Sequence, residues 1–186
     1  VVWLENLNLP GEHEIKFAAP KSVKVNSKTP AKPMWNWWDP EPYEFVSQWR
    51  TSPFITDLDG DGLCDIVMLD HEGYISFFKK SIGDDGVPMV EPSSRIFYTS
   101  KGSPLQLAGA YYGDSGRVKF CLTDWDSDGD LDIIRNNTVS VAFLENLGDF
   151  YFADPVTLHE RIIACHSTAP TVVDWNKNGV PDLLVG

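Results

Sequence analysis

The chain has 186 residues, 42% hydrophobic and 23% charged, so it is long enough to bury a real core and is neither a disordered tail nor a small disulfide knot. Lys plus Arg is 15 against 27 Asp plus Glu, a formal net charge of -12. That excess of acid argues against nucleic acid and an anionic membrane surface as partners and calls for cations instead. No run of 18 or more apolar residues occurs, so no helical membrane insertion is expected.

In chain order, the opening Val1-Val2-Trp3 has no Met and no apolar leader, which reads as a processed or partial product whose targeting signal lies elsewhere. Residues 1–25 read as the closing strands of a repeat. Trp3-Leu4-Glu5-Asn6-Leu7 and Phe17-Ala18-Ala19-Pro20 recur later as Phe143-Leu144-Glu145-Asn146-Leu147 and Phe152-Ala153-Asp154-Pro155. Residues 26–52 form an insertion in which Pro30, Pro33, Pro40 and Pro42 interleave with Trp35, Trp37, Trp38 and Trp49, followed by Arg50.

Residues 53–110 read as a full four-strand unit. An apolar run enters an Asp-rich loop at 57–65, Ile66 to Leu69 leaves it, Tyr74 to Phe78 alternates, and Arg95 to Thr99 is a weaker fourth strand. Residues 111–166 repeat the unit, with the loop at 124–132, then Ile133 to Ile134, Val139 to Leu144 and Phe150 to Phe152. Residues 167–186 open a further unit with its loop at 174–182. No segment sustains a 3.6-residue period, and Gly and Pro punctuate the connections, so the fold class is all-β. Four short strands per repeat predict the blades of a β-propeller. Two full units and two partial ones are too few for a closed ring, so the remaining blades are expected from missing sequence or from other chains. Cys64, Cys121 and Cys165 are an odd number without C-x-x-C spacing, which predicts free thiols buried in strands.

The three loops align without a gap. Asp57, Asp59, Asp61 and Asp65 in the first, Asp124, Asp126, Asp128 and Asp132 in the second, and Asp174, Asn176, Asn178 and Asp182 in the third share the spacing D-x-D/N-x-D/N-G-x-x-D. Alternate side chains of a tight turn converge on one centre. With the carbonyls of Leu63, Asp130 and Val180 at position seven, each loop offers the hard oxygens that Ca²⁺ prefers. Gly62, Gly129 and Gly179 stand at position six, where the turn needs a residue without Cβ. An EF-hand is excluded, because its position-twelve Glu is replaced by Met68, Arg135 and Val185 and the flanks are strands. Up to three structural calcium ions are expected. The third loop, with two carboxylates, is expected to be the weakest site.

These loops, with Asn-Leu-Gly-x-Phe and Phe-Ala-x-Pro downstream in the second repeat, resemble the FG-GAP/VCBS repeat family. The resemblance implies calcium-bound blades of a secreted propeller, extracellular or periplasmic, similar to those of polysaccharide lyases and integrin α heads. That fold hosts adhesion modules, lectins and lyases alike, so the resemblance does not decide the function.

In an up-and-down blade the calcium loops occupy one rim, and the second-to-third and fourth-to-first connections occupy the other. That other rim carries the ligand candidates Trp35, Trp37, Trp38, Trp49, Tyr111 and Tyr112. Indoles on a Pro-stiffened loop suit sugar stacking, though they can equally pad the insertion onto the sheets. The first reading is therefore a module that binds carbohydrate. A propeller-type lyase cleaving uronate-containing polysaccharide by β-elimination is the alternative, with Arg50 to neutralise the uronate, His71 or His166 as base, and Tyr74, Tyr111 or Tyr112 as acid. Rim histidines also serve as plain hydrogen-bonding residues, and Tyr74 also fits as core. A protein-binding adhesion module is the third reading.

Overall fold

The computed structural model describes residues 1–33, 39–109, 117–137, 140–159, 162 and 168–186. Among them there is no helix, so the chain is all-β. The strands are β1 (Val2–Trp3), β2 (Lys21–Ser22), β3 (Lys24–Val25), β4 (Phe54–Thr56), β5 (Asp65–Leu69), β6 (Ile75–Phe78), β7 (Lys80–Ile82) and β8 (Pro88–Val90). They continue with β9 (Tyr98–Thr99), β10 (Phe120–Thr123), β11 (Asp132–Asn136), β12 (Val141–Leu144), β13 (Tyr151–Phe152), β14 (Val156–Thr157), β15 (Pro170–Val173) and β16 (Asp182–Val185).

Each Asp-rich loop closes an antiparallel hairpin, β4 with β5, β10 with β11 and β15 with β16. The registers agree: Thr56 faces Asp65, Thr123 faces Asp132 and Val173 faces Asp182. In the first two repeats a third strand follows in register, with Ile66 opposite Phe78 and Ile133 opposite Leu144. The second repeat adds β14 to make a four-stranded sheet in the order β10-β11-β12-β14. In the first repeat the corresponding pairing shrinks to one bridge, Phe77 to Ser94, closed by amide-to-carbonyl bonds of 2.9 and 2.8 Å.

The predicted fourth strands therefore require correction. Residues 95–99 leave the first sheet after Ser94, and β9 instead pairs in parallel with β13, Tyr98 opposite Tyr151 and Phe152 opposite Thr99. Burial drives the exchange: Phe97 is fully buried and packs against Phe150 and Phe152 of the second repeat. A strand confined to its own sheet would leave these rings exposed. A second unpredicted element is the sheet β3-β8-β7, in which a hairpin turning at 83–86 pairs with the strand at 24–25.

Strands β5 and β6 of the first sheet are buried on both faces. Val67, Leu69, Ile75 and Phe77 join Leu122, Ile133 and Leu144 of the second sheet in one core. On the opposite face Ile66, Met68 and Phe78 pack with Val25, Phe45 and Val90. Each fully buried aliphatic or aromatic side chain contributes about 1.5–3 kcal/mol. The second sheet also lies beside β15, which approaches β10 and β11.

The N-terminal hairpin repeats the β12/β14 hairpin. Trp3 pairs with Lys21 as Phe143 pairs with Val156, and Asn6 bridges Phe17 as Asn146 bridges Phe152. The hydrogen bonds match as well: Ala18 N to Glu5 O and Ala153 N to Glu145 O are both 2.9 Å.

Of the thiols predicted to be buried, Cys121 is buried in β10, where desolvation pushes its pKa up to about 11. Cys64 is exposed, because it lies in the Asp-rich loop one residue before β5 begins. Cys165 lies outside the described residues.

The turn between β5 and β6 needs Gly73. Its φ is +85°, and a Cβ there would meet Ala108 O at 2.0 Å and Gln48 Nε2 at 2.7 Å. Its carbonyl accepts the amides of Leu107 and Ala108. Gly73→Ala is expected to cost about 2 kcal/mol or more, from the left-handed φ together with the backbone clash. Urea unfolding measures it, and an unchanged midpoint would contradict this packing.

Candidate metal centre and opposite rim

The loops begin from backbone geometry. Position four is left-handed in all three, at Gly60 (φ +74°), Ser127 (+66°) and Lys177 (+61°), and position six is left-handed at Gly62, Gly129 and Gly179. The glycines at position six were legible from the spacing. The strained Ser127 and Lys177 were not, since only Gly60 marks position four by residue type.

These turns point their amides inward at the first carboxylate. Asp57 accepts Gly62 N at 2.9 Å, Asp124 accepts Gly129 N at 3.2 Å, and Asp174 accepts Gly179 N at 2.9 Å. The residue at position five accepts the amide of position seven at 2.9 Å in each loop, Asp61 from Leu63, Asp128 from Asp130, and Asn178 from Val180. The result is two exposed triads, Asp57 with Asp59 and Asp61, and Asp124 with Asp126 and Asp128, whose oxygens lie within 4.8 Å of one another. Three carboxylates this close repel unless a cation joins them.

The ninth-position aspartate stands apart from the triads. Asp65 and Asp132 are buried. Asp65 accepts Leu58 N at 3.2 Å and Lys80 N at 2.7 Å, and Asp132 accepts Trp125 N at 3.0 Å and Asn146 N at 2.8 Å. Each carboxylate thereby ties the loop's start to the second residue beyond the third strand. Each of these oxygens spends one lone pair on an amide and has a second acceptor position. Burial pushes the Asp132 pKa above its ordinary value, opposed by the two amides and reinforced by the charges of Asp126 and Asp128. Asp182 accepts Trp175 N and Asn176 N at 2.9 and 3.3 Å.

The donor set of the second loop fits a hard divalent cation: three converging carboxylates, with no Lys or Arg ion-paired to them among the described residues. In the third, Asp174, Asn176 and Asn178 keep the same hydrogen bonds with fewer charges. In the first, the Lys79 ammonium bonds Asp59 and lies 2.8 Å from Asp61 Oδ2. The pair raises the Lys79 pKa and lowers that of Asp61, the hydrogen bond being the larger cause in each case.

The other ends of the sheets carry the rim candidates. Trp49 and Arg50 lie a few residues before β4, whose far end enters the first loop, and Lys119 directly precedes β10, whose far end enters the second. Lys119 Nζ donates to Arg50 O and to Ser52 Oγ. The Arg50 guanidinium lies 4.6 Å from the Trp49 ring centroid, and Trp49 is 59% exposed. Both line an open cleft of 380 Å³ with Val1, Val2, Phe45, Gln48 and Met68. Trp35, Trp37, Trp38, Tyr111, Tyr112 and His166 lie outside the described residues.

His71 and Tyr74 share the β5/β6 turn, onto which Arg95, a residue sequence reasoning missed, reaches from beyond Ser94. Arg95 Nε donates to Asp70 Oδ2 at 2.7 Å, its Nη2 bonds Glu72, and the guanidinium sits 3.9 Å from the Tyr74 ring centroid. Asp70 is buried and also accepts Glu72 N, Tyr74 N and Ser76 Oγ. The His71 Nδ1 atom is buried with no hydrogen-bond partner. Burial lowers the His71 pKa, although Asp70 and Glu72 oppose the shift. His71 and Tyr74 are not among the residues lining the cleft that holds Arg50, so these lyase candidates are not gathered in one site.

A chain of sheets whose hairpins close on Asp-rich loops is a repeat protein. In the second repeat and the hairpin after it, residues 124–185 match the family model described as FG-GAP-like repeat. The first repeat reproduces the loop hydrogen bonds and register of the second. No curated protein and no solved structure matches the chain.

Arg95→Met is expected to cost about 2 kcal/mol at pH 7, because the buried Asp70 loses its cation while keeping three neutral donors. The Arg95 hydrogen bond holds Glu72 below its ordinary pKa, so that part of the stability is complete above about pH 4.3 and is lost as pH falls through the lowered value. The gap between variant and wild type should narrow below about pH 4. Urea midpoints from pH 3 to 7 test this; a gap that widens on acidification contradicts it.

Proposed function

We propose that the chain is part of a secreted, calcium-stapled β-propeller of the FG-GAP type, which binds carbohydrate at the sheet ends opposite the Asp-rich loops. The observation that carries the reading is the Trp49–Arg50 pair lining an open cleft at that end. An exposed indole offers a flat apolar face to the C–H face of a sugar ring, and the adjacent guanidinium reaches hydroxyls or a uronate carboxylate. The fit of the second triad to a hard cation supports the calcium half of the reading. Ca²⁺ there would join Asp124, Asp126 and Asp128, supplying the positive charge that their turn lacks. Binding is preferred to elimination, since no described cleft holds Arg50 together with His71 and Tyr74.

Titration of acidic and neutral polysaccharides by affinity electrophoresis tests the ligand. Retardation by at least one, weakened on the order of tenfold by Trp49→Ala, is expected, because a lost stacking contact is worth about 1.4 kcal/mol or more. Retardation by none, or equal retardation of the variant, would overturn the carbohydrate reading. Release of unsaturated uronate, seen as ultraviolet absorbance, would instead establish the lyase.

Calcium at a hundredfold excess over its dissociation constant adds about 2.7 kcal/mol to the folded state. The melting temperature should then rise by about 5–10 °C over that in chelator. Identical melts would remove calcium from the account.

A further inference from the structure

The two Asp triads are built alike but are not electrostatically alike, and the difference lies in one side chain outside them. Ile66 pairs with Phe78, and Ile133 pairs with Leu144. Two residues beyond, Lys80 N donates to Asp65 and Asn146 N donates to Asp132. Lys79 and Glu145 between them therefore occupy the same place in the two repeats. Glu5 occupies it in the N-terminal hairpin, where its carbonyl accepts Ala18 N as that of Glu145 accepts Ala153 N. Of the three equivalent positions two are acidic, and only the one beside the first loop is a lysine.

We propose that Lys79 is the resident cation of the first loop, its tethered ammonium joining Asp59 and Asp61 where the second loop takes a divalent ion. The inference rests on reading the second loop as a calcium site and departs from it at the first. An ammonium is a compact charge with three donors, two of them engaged here by different carboxylates of one triad. Calcium needs six to eight oxygens and can reach these only by displacing a charge that the chain holds at high local concentration. The triad and Lys79 together carry a formal charge of -2, whereas the second triad with Glu145 carries -4. Both effects weaken calcium at the first loop relative to the second, on the order of tenfold or more. The first loop is closed without metal, and the second is the metal-dependent one.

Calorimetric titration of the whole chain with Ca²⁺, paired with melts in chelator and in calcium, tests the inference. Asp126→Asn with Asp128→Asn should remove the tightest calcium equivalent, whereas Asp59→Asn with Asp61→Asn should leave it intact. Lys79→Met should add one tight equivalent per chain; in chelator it should melt below wild type, and calcium should restore it. If the Asp59/Asp61 variant loses a tight equivalent, or Lys79→Met binds no more calcium than wild type, the inference is overturned while calcium at the second loop stands. If wild type binds no calcium but Lys79→Met binds one, the calcium reading of the second loop falls and the role of Lys79 is upheld. If neither binds, both readings fall.

Discussion

The ninth-position aspartate is the constraint on which the rest of the chain is arranged. Asp65 and Asp132 each take one amide from the beginning of their loop and one from the second residue beyond the third strand. One buried carboxylate therefore fixes three things together: the curl of the loop, the register of the hairpin and the point at which the third strand leaves. Removing it would leave two amides unsatisfied near the core, each costing about 1–3 kcal/mol. A charge in that position also sets the sign of everything around it. The triads in front of it add carboxylates to a place already negative, and only a cation relieves both.

This arrangement separates the two ends of each sheet by chemistry. At the loop end, charge and backbone amides dominate, and the residues of position two, Leu58 and Trp125, donate their amides to the buried aspartate. At the opposite end the turns are closed by side-chain networks such as that of Arg95 with Asp70, Glu72 and Tyr74, and by close backbone approaches such as Gly73 against Ala108. Between the ends lies an apolar slab. Strands β5 and β6, buried on both faces, show why they read as continuous hydrophobic runs: Ile66 through Leu69 all face protein.

The parts of the molecule legible in the sequence are those whose residue types have one structural use. The Asp-Gly loops gave the hairpins, and the apolar runs on either side gave β5, β6, β11 and β12. The recurrence of the segments around Asn6 and Phe17 at Asn146 and Phe152 was readable as a repeat, and in the fold it is a shared hairpin in which Asn6 pairs with Phe17 and Asn146 with Phe152. The exchange of β9 onto β13 was not legible, because a two-residue strand has no period and its partner is chosen by where Phe97 can be buried. Arg95 and Lys79 escaped for a different reason. Each acts on carboxylates distant in sequence, Lys79 on Asp59 and Asp61 and Arg95 on Asp70 and Glu72, and only the register brings them together. Lys79 did leave a trace, since aligning the third strands sets it against Glu145.

The matched hairpins at Leu7 and Leu147 differ in length. Leu7 N reaches Lys16 O at 2.9 Å and Leu147 N reaches Tyr151 O at 2.6 Å, so the same closure spans five more residues in the first copy. Loop-closure entropy grows only with the logarithm of length, so the longer tip costs less than about 1 kcal/mol. The bridge at Asn6 or Asn146 lies behind the tip and insulates the strand register from it. The hairpin tip is thus the place where copies of this repeat can diverge and gain residues while the sheets they belong to keep the same pairing.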